Sequence, residues 1–183
     1  MRAPSLAVVP LLAAIATAAA VACSEGAPTP TALAAAQPAM DMTMAHSPTA
    51  TGFTVQVLSR SSFPDAIDAT FRIKLDRATK VVHVDDPSDV VVAKVTIQPG
   101  GSLGWHTHPG PAIASVASGE LTVTTASDCT TRQYPAGKAF VDPGQGNVHV
   151  GYNASAVETV VYVTFLDVPP GQPATIPATD PGC

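Results

Sequence analysis

Between Phe53 and Val168 the chain reads as short apolar runs, several alternating with polar or small residues: FTVQVLSR, TFRIKL, TKVVHV, DVVVAKVTIQP, AIASVASG, ELTVTTAS and VETVVYVTFLDV. A period of two puts successive side chains on opposite faces of a pleated strand, so these runs predict strands with one face in a core. Turn signals separate them, at Asp86-Pro87, Pro99-Gly100-Gly101, Pro109-Gly110-Pro111, Ser118-Gly119 and Asp142-Pro143-Gly144. Strands at this spacing, with no convincing helix of three turns, predict an all-β fold in the form of a closed sandwich or barrel over 53–168.

The flanks read differently. Leu6 to Val21 is an apolar run after Arg2, interrupted by Pro10 and rich in alanine. It is too short and too weakly apolar for a permanent spanning helix, so residues 1–22 are expected to be a signal peptide. Ala20-Val21-Ala22 fits the small-x-small rule for cleavage, and Cys23 directly after it resembles the lipobox of bacterial lipoproteins, with Ala20 where leucine is usual. Both readings cut the same bond. One gives a cell-envelope protein anchored by lipid on Cys23; the other gives a freely secreted chain.

Residues 23–52, rich in Ala, Pro and Thr without sustained periodicity, are expected to be a disordered tether. It contains Met40, Met42, Met44 and His46, whose soft thioethers and imidazole suit Cu(I); the plainer reading is a tether that happens to be rich in methionine. Residues 169–183 form a proline-rich tail. The chain has three cysteines. If Cys23 carries lipid, Cys129 and Cys183 are left to pair as a disulfide in an oxidising compartment; otherwise they are buried or unpaired thiols.

A net charge of −5 without a basic cluster argues against nucleic acid. There is no phosphate-cradling Gly-Lys-Ser/Thr loop, no Gly-x-Ser-x-Gly elbow and no Cys-x-x-Cys, so nucleotide and hydrolase chemistry find no support.

The informative chemistry lies in histidines. His106 and His108 follow the Gly100-Gly101 turn, and residues i and i+2 of a strand face the same way, so both imidazoles address one point. His149 stands downstream, among Gly146, Gly151 and Asn153. Three imidazoles from two strands can hold Zn, Fe(II), Mn, Ni or Cu with coordination positions to spare. Without a metal, the same histidines would simply hydrogen-bond to water or to each other. Trp105 and Thr107 alternate to the opposite face. His83 reads as an edge or surface residue, Glu120 and Glu158 as solvated strand residues, and Tyr134, Tyr152 and Tyr162 as packed tyrosines with their hydroxyls at the surface.

Gly100, His106-Thr107-His108 and Gly119-Glu120, followed by Gly137, Pro143, Gly146, His149 and Asn153, resemble the two motifs of the cupin superfamily. The resemblance implies a small single-domain double-stranded β-helix, or jelly-roll barrel, with a metal or ligand site inside and frequently a homodimer. Two features depart from the pattern. The glutamate expected three or four residues after the second histidine is replaced by Ala112 and Ile113, and one extra residue lies between Pro143 and His149. A three-His site without the carboxylate leaves more net charge on the metal and holds oxygen-seeking Mn less well. Two functions follow from the resemblance. One is an exported, membrane-tethered module that binds a divalent metal or small ligand. The other is a metal-dependent dioxygenase, isomerase or decarboxylase, for which the sequence offers no evident general acid or base near the motifs.

Overall fold

The computed structural model describes residues 49–74 and 78–183. The segment 1–22, Cys23, the tether up to residue 48 and the Met40, Met42, Met44 and His46 cluster lie outside the described residues. Among the described residues there is no helix long and apolar enough to cross a membrane.

The strands are β1 (Thr51–Ser62), β2 (Asp68–Lys74), β3 (Thr79–Asp85), β4 (Asp89–Thr107), β5 (Ala112–Ser118), β6 (Glu120–Thr125), β7 (Thr130–Pro135), β8 (Ala139–Asp142), β9 (His149–Tyr152), β10 (Thr159–Val168) and β11 (Ile176–Pro177). The β-branched run beginning at Asp89 does not end at its Pro-Gly-Gly turn signal but continues to Thr107. Its first half pairs with β1 and β10, and its second half with β9 and β11. One strand thus passes from a layer of β1, β4, β10, β5 and β8 into a layer of β11, β4, β9, β6 and β7, all antiparallel. The pattern's closed all-β fold is thus a jelly-roll barrel, as the cupin resemblance implies.

The passage between layers depends on Gly100 and Gly101. Gly100 sits at φ 74°, in the left-handed region open to glycine, and a Cβ on Gly101 would collide with the carbonyl oxygen of Gly52. Asn153, just after β9, clasps the bend, because its N–H donates to the Gly101 carbonyl and its own carbonyl accepts from Gly100 N–H, both at 2.9 Å.

Alternation fills the core. Val91, Ala93, Val95 and Ile97 of β4 face inward against Val161, Val163 and Phe165 of β10, with Leu121 and Val123 of β6 opposite. β2 and β3 pair only with each other, as a hairpin whose buried Val82 and Val84 alternate with exposed Val81 and His83. β7 and β8 escape the sequence pattern, since β7 (TTRQYP) is polar and half exposed and β8 has only four residues. The proline-rich tail supplies β11 beside the His-x-His segment.

Candidate metal centre

His106, near the end of β4, is register-paired with His149, the first residue of β9, and His108 lies two residues beyond His106 on the same face. The three rings stand 4.5 to 5.3 Å apart between centroids. All three are buried, at 5, 5 and 4% exposure. The extra residue before His149 does not turn it away, because the loop absorbs it with positive φ at Gly144, Gln145 and Gly146. A Cβ on Gly144 would strike the Gly110 carbonyl oxygen, and Gln145 N–H donates to the His108 carbonyl at 2.9 Å. The loop of the second motif is therefore pressed against the exit of the first.

What each ring does with its Nδ1 settles the chemistry of the site. Nδ1 of His106 lies 2.8 Å from the Gly104 carbonyl, and Nδ1 of His108 lies 2.8 Å from the Ala174 carbonyl. A carbonyl can only accept, so both Nδ1 atoms carry the proton. Nδ1 of His149 lies 3.4 Å from the Asn147 carbonyl and 2.7 Å from Oδ2 of Asp142, an ion-pair contact. With Nδ1 engaged in each ring, Nε2 is the nitrogen left to ligate, and one ring nitrogen from each of the three histidines lies within 4.8 Å of the others. Rings locked by an acceptor on the far nitrogen are the usual form of histidine metal ligands. The residues present therefore fit a divalent metal.

Charge states agree with this role. Burial, reinforced by neighbouring His149 and His108, pushes the pKa of His106 down from 6.5 to about 3 despite its bond to Gly104. Burial likewise lowers His108, outweighing the Ala174 carbonyl. Burial would raise Asp142, but the hydrogen bond and charge of His149, the Gly144 N–H and the nearby His108 together bring it below its ordinary value. The neutral imidazoles of His106 and His108 near an ionised carboxylate form an environment that favours a cation.

Asp142 is the residue that the sequence pattern missed. Asp142 is fully buried at the end of β8 and register-paired with Ala112, the position that lacks the expected glutamate. It does not replace that ligand. Its Oδ1 accepts from Gly144 N–H at 2.6 Å and from Asn147 Nδ2 at 3.3 Å, leaving Oδ2 to orient His149. The only signal for it in the sequence is its place immediately before Pro143. Asp142→Asn keeps the shape but loses the charge, and should weaken zinc binding about 10- to 100-fold in a competition titration while the fold is retained.

The lowered pKa values also fix a pH dependence for the metal-free protein. Above pH 6.5 His106 is neutral in both the folded and unfolded chain and contributes no difference. Below it the unfolded chain takes up the proton first, so stability falls as pH drops from 6.5 toward about 3. The slope for one such group approaches about 1.4 kcal/mol per pH unit. Urea midpoints of chelator-treated protein should therefore decline steadily from pH 6 to 4.

The histidines open onto a cavity of about 350 Å³ bounded by both layers. Its walls are mainly apolar, including Val95, Ile97, Ala112, Leu121 and Phe165, and among the described residues Arg60 is the one lining residue besides the histidines with an ionisable side chain. Trp105 and Thr107 face the other way and are buried, as alternation requires. His83 is exposed on β3, its Nδ1 3.2 Å from Thr70 Oγ1. Neither Glu120, Glu158 nor any of the three tyrosines lines the cavity. Cys129 and Cys183 are joined, with Cα atoms 5.4 Å apart.

A buried grip of three imidazoles inside a jelly-roll barrel defines a divalent-metal-binding β-barrel. A cupin domain family model matches residues 93–177, which span both histidine motifs, and the chain belongs to the cupin superfamily. No curated protein matches it. Among solved structures it is similar to an oxalate oxidase at 32% identity, over 43% of this chain and 41% of that one, with a TM-score of 0.38. It is similar to Bacillus subtilis oxalate decarboxylase, a protein with Mn(II) centres, at 27% identity over 48% of this chain and 23% of that one, TM-score 0.41. A cupin domain from Bordetella pertussis is 25% identical over 59% of this chain and 99% of that one, TM-score 0.38. The chain thus spans less than half the length of the oxalate enzymes it matches.

Proposed function

We propose that this protein is an exported, membrane-tethered cupin that holds a divalent metal on His106, His108 and His149 and a small, largely apolar ligand in the adjoining cavity. The observation that carries the reading is the pairing of three locked imidazoles with an apolar chamber of about 350 Å³. A divalent ion bound there supplies a Lewis-acidic centre for an oxygen or nitrogen donor of the ligand. The imidazoles favour Zn, Cu, Fe or Ni, and Ala112 withholds the carboxylate that Mn prefers. Asp142 holds His149 in register and offsets positive charge, while the aliphatic walls exclude water. Export and anchoring at Cys23 are supported by the apolar leader and small-x-small-Cys boundary, and the Cys129–Cys183 bond suits an oxidising compartment.

Catalysis on a small molecule at the same centre is the second reading. One observation favours it: the cavity opens directly onto the histidines, giving a substrate access to the metal. Against it, no carboxylate, lysine or tyrosine stands among the lining residues to move a proton. Oxygen uptake and product analysis of metal-loaded protein with diols, enols and oxalate separate the readings: turnover selects the enzyme, and saturable binding without turnover selects the module. An unchanged membrane fraction for Cys23→Ser would remove the lipid anchor from the account.

A further inference from the structure

The segment after β10 does more than end the chain. Pro169 and Gln172 present their carbonyls to Arg60, at 3.3 Å from Nη1 and 2.6 Å from Nη2, while Nη1 is also paired with Asp89 at 2.6 Å. Pro173, Ala174 and Thr175 then form part of the cavity wall. The Ala174 carbonyl accepts the Nδ1 proton of His108, so this segment fixes the tautomer and orientation of one metal ligand. Ile176 and Pro177 pair with Thr107 and His106, and Ala178 N–H donates to the Trp105 carbonyl at 2.9 Å. The segment finishes at Cys183, bonded to Cys129 in the turn between β6 and β7.

Little apolar burial holds this segment down. From 169 to 183 only Ala174 and Ala178 are half-buried, and the remaining residues are exposed. Its attachment therefore rests on a few backbone hydrogen bonds, the Arg60 fork and one covalent link. Both cysteines are exposed, so a reductant can reach that link from solvent.

We propose that residues 169–183 are a redox-locked strap over the metal centre: with Cys129 and Cys183 bonded, the Ala174 carbonyl holds His108 in its ligating pose and the strap closes one side of the cavity. A dithiol reductant breaks the S–S bond, delivering two electrons and two protons to give two cysteine thiols, and is itself oxidised to a disulfide. The strap then leaves the cavity wall, His108 loses its acceptor, and the centre releases metal and ligand more readily. The consequence for metal rests on the three-His reading; the link between the disulfide and His108 does not.

The experiment therefore has two readouts. In metal-free protein, hydrogen exchange at the amides of Ile176 and Ala178 should accelerate at least tenfold on adding dithiothreitol, and the His108 Nδ1–H resonance should disappear, while protection in β4 and β10 persists. Zinc affinity should fall about 10- to 100-fold in Cys129→Ser/Cys183→Ser, the range for losing a ligand's outer partner. Arg60→Met, which keeps the disulfide, should be a few-fold weaker for zinc and lose strap protection at a lower dithiothreitol concentration than the parent. Exchange at the Ile176 and Ala178 amides and a His108 resonance that are both indifferent to reductant would overturn the strap. If the parent binds no zinc, the metal reading fails, and the exchange and resonance data still decide the strap.

Discussion

Replacing His106 with alanine is expected to remove stoichiometric metal from the protein while leaving the barrel folded. The side chain belongs to a strand whose pairing is set by backbone bonds on both sides, to β9 and to β11, so the strand does not depend on the imidazole. What is lost is one of three nitrogens in the ligand group and the donor to the Gly104 carbonyl. An orphaned buried carbonyl costs about 1 to 3 kcal/mol, which would lower the melting temperature by several degrees without unfolding the domain. Metal affinity should fall by more than about 100-fold, because losing a direct ligand exceeds the 10- to 100-fold cost of losing an outer partner. Elemental analysis and a thermal melt of the same sample read both effects.

The largest effect on stability is expected at Asn153, which is fully buried beside the bend of β4. Its Nδ2 donates to the carbonyls of Ile97 at 3.0 Å and Val157 at 2.7 Å. Its Oδ1 accepts from the backbone N–H of Ser155 at 2.9 Å and from its hydroxyl at 2.8 Å. Asn153→Ala removes four buried or half-buried hydrogen bonds at once and should cost about 3 kcal/mol or more by urea unfolding. Asn153→Asp is nearly isosteric and should cost at least as much, since it points a carboxylate oxygen at two carbonyls. An aspartate variant as stable as the parent would show that the amide is not the clasp. Although Asn153-Ala-Ser155 has the form of a glycosylation acceptor, its amide is inside the protein.

The parts of this site visible in the sequence are those fixed by local geometry. His-x-His shares a face because strands have a period of two, and Gly100-Gly101 announces a bend that side chains obstruct. The parts that were hidden depend on how a loop and the tail fold back onto the histidines. Asp142 meets His149 where the loop after β8 folds back to begin β9, and nothing in its own neighbourhood distinguishes it from a turn aspartate. Ala174 acts through a backbone carbonyl, which any residue carries, so its identity holds no trace of the role. β7 was obscured by its polarity, and β4 ran through a turn signal because Gly100 and Gly101 bend the strand without ending its pairing.

If one ion sits on the three histidines, their Nε2 atoms meet it while each Nδ1 remains engaged. Histidine-ring 15N spectra during a zinc titration of tag-free protein test it most directly. Saturation is expected at one equivalent, with Nε2 of His106, His108 and His149 shifting together and their Nδ1 protons retained. Shifts confined to exposed His83, or no saturation at one equivalent, would contradict it.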